Sequence, residues 1–176
     1  MTATPVDTSI WTSKDIITAI VATGLLSAVA SWLVDLAKSW WSNRKAARYG
    51  AMRCAAELER YAVDCWHEFI MGQGEFQQHK NISGGSLPAA PAFPNDIDWK
   101  ALEPELANDV LSFSNITKVS ESLANYSHVW EQNPFDYHAA NKERGLEALK
   151  LAGRLRNVYD LQSPSGLDRA WKELQG

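Results

Sequence analysis

Cysteine is scarce: the chain has only Cys54 and Cys65. On a helix the two share a face but lie about 16 Å apart, too far to bond to each other. Two free apolar thiols suit a reducing compartment. Paired metal ligands are missing as well. None of His67, His79, His128 and His138 has a second histidine or a cysteine three or four positions away. Asp64, Glu75 and Glu131 do stand at that spacing from a histidine, but a metal centre needs three or four converging ligands. The sequence holds no HExxH, no CxxC, no phosphate-cradling glycine loop and no Gly-x-Ser-x-Gly, and its glutamates form no ExxH pair. "CWHEF" brings Cys65, His67 and Glu68 together in sequence, yet neighbours on a helix point in different directions. The expectation is a non-enzymatic protein without catalytic, cofactor-binding or metal-ligating residues.

Charge is absent from one long stretch. Between Asp15 and Asp35 lie 19 uncharged residues, Ile16 to Val34. As a helix they would be about 28 Å long, close to the hydrocarbon thickness of a bilayer. Their nine Ile, Leu and Val side chains favour insertion by roughly 3–5 kcal/mol, which Thr18, Thr23, Gly24, Ser27 and Ser31 reduce. Trp11 precedes the run, and Trp32, Trp40 and Trp41 mark its far end. Tryptophan favours the boundary between lipid and water.

A basic excess is missing from most of the chain. The net charge is −4. Residues 54–176 carry 11 basic and 18 acidic side chains, a balance of −7, whereas residues 38–53 hold Lys38, Arg44, Lys45, Arg48 and Arg53 with no acid. A nucleic-acid binder would show its basic excess on the folded domain, so nucleic acid is not the expected partner. Arginine and lysine beside an apolar run fix topology and attract anionic headgroups. Trp11, Trp32, Lys38, Trp40, Trp41, Arg44, Lys45 and Arg48 are the candidate membrane-interface residues. The positive-inside rule puts the N-terminus outside the cell (inner) membrane and the larger domain in the cytoplasm. Within the run, Thr23, Gly24, Ser27, Ala28 and Ser31 form a small-residue stripe suited to a contact between spans, as a homodimer or with another membrane protein.

Two other readings compete. "AVA" at Ala28–Ala30 has the form of an export cleavage site, which would leave an exported soluble helical protein without its first 30 residues. A tethered enzyme would use Cys65 with a histidine such as His128 or His138.

No proline interrupts residues 14–71. Ala47, Ala51, Cys54, Leu58, Tyr61, Cys65 and Phe69 recur at helical spacing, so a helix with that face buried is predicted to about Met71, ended by Gly72 and Gly74. A Gly/Pro-rich loop is predicted over 73–97. Pro104 suits the first turn of the next helix. Its inward stripe is read as Leu106, Val110, Phe113, Ile116, Val119, Leu123, Tyr126 and Trp130, with a break near Ser114-Asn115. A further helix over 136–159 turns Leu146, Leu149, Ala152, Leu155 and Val158 inward, and a short one follows Ser163-Pro164. The stretches "DWKALEPELANDVLSFSN" and "GLEALKLAGRLRNVYDL", within residues 98–161, resemble uncharacterised bacterial single-span proteins. The resemblance implies a small all-α cytoplasmic domain and no known activity.

The expected organisation is all-α. A short extracytoplasmic tail (1–13) leads to a transmembrane helix (14–37), and a basic juxtamembrane segment and first bundle helix (38–72) follow. The loop (73–97) and the remaining bundle helices (98–176) complete it. The bundle is expected to bind an unknown cytoplasmic protein.

Overall fold

The computed structural model describes the backbone of residues 13–79, 85–133 and 135–175, and the side chains of these from residue 27, His79 excepted. Among the described residues there are helices and no strands: α1 (Ser13–His79), α2 (Pro104–Tyr126), a π-helical turn (Ser127–Glu131), α3 (Phe135–Val158) and α4 (Leu167–Gln175). The chain divides into two units, residues 1–43 and residues 44–176.

In the first unit, no helix among the described residues is long and apolar enough to cross a membrane. Most of the apolar run, Ile16 to Leu26, lies outside the described side chains, as do Trp11, Thr23 and Gly24.

In the second unit, the face of α1 read from the sequence is the buried one. Ala47, Ala51, Cys54, Leu58, Tyr61, Cys65 and Phe69 are all in the core, joined by Ala55 and Ala62. Most of these side chains are small, so the facing helices must come close. Gly145 of α3 meets this demand. A Cβ there would lie 3.1 Å from the Cβ of Cys65 and 3.0 Å from Leu174 Cδ1 of α4. Tyr61 packs edge-on against Phe113 of α2, with ring centroids 5.6 Å apart. Phe69 stacks on His138 of α3 at 4.2 Å. A largely buried ion pair adds direction to this packing: Arg156 of α3 grips Glu59 of α1 bidentately, its Nη2 donating to Oε2 at 2.7 Å. Trp66 Nε1 donates to Glu173 Oε2 at 2.8 Å and ties α4 to α1.

Four boundaries and faces differ from the sequence reading. Helix α1 does not stop at Gly72 or Gly74 but continues to His79. A Cβ at Gly72 would lie 3.2 Å from His138 Nδ1, and Phe76 packs edge-on against Phe135, so tertiary contact outweighs the weak helix propensity of glycine. Val158 is exposed, being the last residue of α3. Helix α2 is unbroken at Ser114-Asn115, where Ser114 Oγ donates outward to the Pro91 carbonyl at 2.7 Å and pins the 85–94 segment, which forms neither helix nor strand.

The largest difference concerns the face of α2. Its buried residues include Leu106, Val110, Phe113, Thr117 and Ala124, whereas Ile116, Val119, Leu123, Tyr126 and Trp130 are exposed. The seam that faces the core becomes small and polar in its second half. Thr117 is satisfied by donating to the Phe113 carbonyl at 2.9 Å, and Ser127 donates to Glu131 at 2.7 Å.

Helix α3 ends in a Schellman arrangement. Leu161 N donates to the Arg156 carbonyl at 2.8 Å and Asp160 N to the Asn157 carbonyl at 3.4 Å. Asp160 takes the left-handed position, φ 50°. The Asp160 carbonyl in turn accepts from Arg48 Nη2 at 2.8 Å.

Two predictions follow from this packing. Leu58→Ala, at a fully buried position, is expected to cost about 2–4 kcal/mol in urea unfolding. A loss under about 0.5 kcal/mol would be a surface-sized effect and would remove Leu58 from the core. Asp160→Gly relieves the left-handed backbone at no cost in side-chain bonds and should stabilise by about 0.5–1 kcal/mol in the same measurement.

Candidate functional site

Three arrangements have the composition of a working surface or site. The first is the described part of the first unit. Val29, Trp32, Leu33, Val34, Leu36, Trp40 and Trp41 are each at least half exposed. At about 100° per residue they cover an arc of about 200°, while Ser27, Ser31, Asp35 and Lys38 share the remaining side. Ala28 is exposed as well. An apolar arc that wide exceeds what one docked helix covers.

In the second unit, Arg44, Lys45 and Arg48 are exposed. Arg48 also serves the fold through its bond to Asp160. Arg53 donates to Tyr49 Oη at 2.7 Å and lies 4.0 Å from Asp96. Some of the basic charge legible beside the apolar run is therefore committed to tying α1 to other parts of the bundle.

The second arrangement is a polar pocket of side chains inside the bundle. Cys65 is fully buried and Tyr61 nearly so. Burial pushes the Cys65 thiol up to about 12, with lesser effects from Tyr61, Asp64, Arg144 and Glu68. Cys54, also buried, is pushed up to about 11 by the same desolvation. Burial raises the Tyr61 hydroxyl too. Arg144 is 4% exposed. Its Nη2 reaches Glu147 at 2.9 Å and Glu143 at 3.0 Å, while Nε and Nη1 have no hydrogen-bond partner among the described residues. A nucleophilic cysteine needs a lowered pKa and access. Cys65 has neither, and no histidine is among the groups that perturb it. His138 stacks on Phe69, His128 lies edge-on to Tyr137, and His67 is exposed on α1. Among the described residues no group of histidine, cysteine, aspartate and glutamate is placed to hold a metal ion.

The third arrangement is the outer face of α2 with the groove beside it. The groove, about 330 Å³, lies between α2 and α3. Phe113 and Leu151 are its buried apolar residues, and Arg154 and Asp109 pair at 2.6 Å on its lining. Ile116 belongs both to the groove and to the exposed stripe that runs on to Trp130. The sequence reading missed this surface because it counted apolar residues without asking which seam of the helix they occupy.

No known protein-family model, curated protein or solved structure matches this chain.

His138 gives the bundle a pH dependence. Burial, with Lys142 beside it, lowers its pKa from the usual 6.5. The fold therefore favours the neutral ring, and the unfolded chain takes up the proton first as pH falls. The corresponding stability is complete above about pH 6.5 and is lost as pH drops from there toward the folded value. His138→Phe keeps the stacking on Phe69 and should flatten the change in urea midpoint between pH 7.5 and 5.5. An unaltered pH dependence would rule out His138 as its source.

Proposed function

We propose that this chain is a single-pass, membrane-anchored, non-enzymatic helical protein of the cell membrane, with a cytoplasmic bundle that acts as an interaction module. The anchor is the helix over residues 14–37. The observation that carries the reading is the exposed apolar arc from Val29 to Trp41, continuous in sequence with the uncharged residues 16–26. A helix that offers apolar side chains over more than half its circumference is suited to lipid, with the narrow stripe of Ser27, Ser31, Asp35 and Lys38 left for another span.

Lys38, Arg44, Lys45 and Arg48 follow the run along the chain and suit anionic headgroups, each cation contributing about 1 kcal/mol near the surface. Trp32, Trp40 and Trp41 are the side chains that favour the interface. The buried, proton-retaining thiols of Cys54 and Cys65 suit packing better than nucleophilic attack, which supports the non-enzymatic assignment.

The test is alkaline carbonate extraction of the full chain expressed in a bacterial host, with N-terminal sequencing of the product. The chain should stay in the membrane pellet with its N-terminal segment intact. Release into the supernatant, or a new terminus at Ser31, would overturn the anchor in favour of a soluble or exported protein.

A further inference from the structure

Helix α2 is inverted with respect to its own sequence. From Leu106 the seam toward the core runs Leu106, Val110, Phe113, Thr117, Ser120, Ala124 and Ser127, spaced by four and three throughout. Of these Ser120 is half-buried and the rest are buried. Its second half contains no large apolar side chain. The neighbouring seam about 110° around the helix, Ile116, Val119, Leu123, Tyr126 and Trp130, has the same alternation and is 47–74% exposed. A monomer gains nothing by burying threonine and serine while leaving leucine and tryptophan in water. At about 25 cal/mol per Å² the exposed seam forgoes a large share of the helix's burial energy. Places where a sequence breaks the inside–outside rule are where function is expected.

We propose that this seam is a self-association face, occupied by the same seam of a second copy of the chain. Three features select a copy of itself. From Ile116 to Tyr126 the spacing is that of an a/d stripe about 15 Å long, which packs lengthwise against a like stripe, and Trp130 extends it on the π-helical turn. The positions on the outer flank of the seam, Asn115, Ser122 and Val129, carry no charge, and on its inner flank Ser120 and Ser127 turn toward the core. Identical copies present identical charges, so neutral flanks remove the repulsion that a dimer would otherwise meet. A partner chosen by charge would need charged flanks. Finally, the five exposed side chains offer on the order of 700 Å² per copy, near the ~800 Å² per partner of a standard interface and above the largest patch usual on a monomer. A two-fold arrangement satisfies both copies at once.

The face lies wholly within the second unit and names the partner of the interaction module proposed above, but it does not need the anchor. The test uses the full chain. In detergent micelles its protein mass should be that of a dimer. Leu123→Glu should raise the dissociation constant by more than ~10-fold with the helical content of the folded chain unchanged. Independently, in the purified full chain treated with a copper–phenanthroline oxidant, which takes up the two electrons, Val119→Cys should form a disulfide between copies, and Glu105→Cys, outside the seam, should not. A monomeric wild-type chain overturns the proposal, as does equal cross-linking from both variants. A dimer that survives Leu123→Glu but is lost on Ser27→Leu overturns this face and assigns association to the anchor. A monomer in which an environment-sensitive label attached through Val119→Cys shifts to the blue with anionic vesicles, while the same label on Glu105→Cys does not, overturns it in favour of lipid. Failure of carbonate extraction would sink the anchor and leave the dimer standing.

Discussion

The buried face of α1 within residues 44–79 is built mostly from small side chains, and the rest of the bundle is arranged around that. Ala47, Ala51, Cys54, Ala55, Ala62 and Cys65 cannot reach outward to fill space, so the neighbouring helices must come to them. Gly145 lets α3 approach, and Leu174 of α4 fills the edge of the same contact. Leu58, Tyr61 and Phe69 are the larger groups that set the lateral position. The Glu59–Arg156 pair then fixes α3 along its length, because a bidentate guanidinium contact tolerates little sliding. Its partners are only slightly exposed, so losing either would leave the other charge poorly solvated. The interior contribution of such a pair is register more than net stability.

The same crowding explains the state of the two cysteines. A small polarizable side chain suits a close helix crossing, and the exclusion of water that comes with it holds both thiols protonated. Arg144 is the exception that this interior tolerates. Its Nη2 draws on the exposed carboxylate of Glu143 and the partly exposed one of Glu147, while Nε and Nη1 are buried without a partner among the described residues.

The sequence was legible where one periodicity accounted for one face. Every residue of the α1 stripe from Ala47 to Phe69 is in the core, Pro104 opens α2, and the start and end of α3 fall within a residue of the pattern. It misled where local signals met tertiary ones. Gly72 and Gly74 look like a helix end, but Phe76 has Phe135 to pack on and carries α1 past them. On α2, reading every large apolar residue as inward merged two seams into one. The step from Phe113 to Ile116 to Val119, three and three, rotates off the buried face, and the true continuation passes through Thr117. Hydroxyls that bond to their own helix, as Thr117 does to Phe113, make a polar seam buriable, and a count of apolar residues does not register that.

The charge of the bundle bears on what its exposed stripe meets. Residues 54–176 carry 11 basic and 18 acidic side chains, and an anionic membrane surface repels such a domain within a Debye length of about 8 Å. An apolar stripe meant for lipid would be expected among lysines and arginines, as on membrane-surface helices. On α2 between Ile116 and Trp130 the charged residues are Lys118 and Glu121, one of each sign. The basic side chains instead stand at residues 38–53, next to the apolar run in sequence. The two exposed apolar surfaces therefore differ in kind. The one ending at Trp41 has the cationic company that an anionic headgroup layer rewards. The one from Ile116 to Trp130 has a neutral outer flank at Asn115, Ser122 and Val129 and helical spacing as far as Tyr126, which a protein surface of matching period can use.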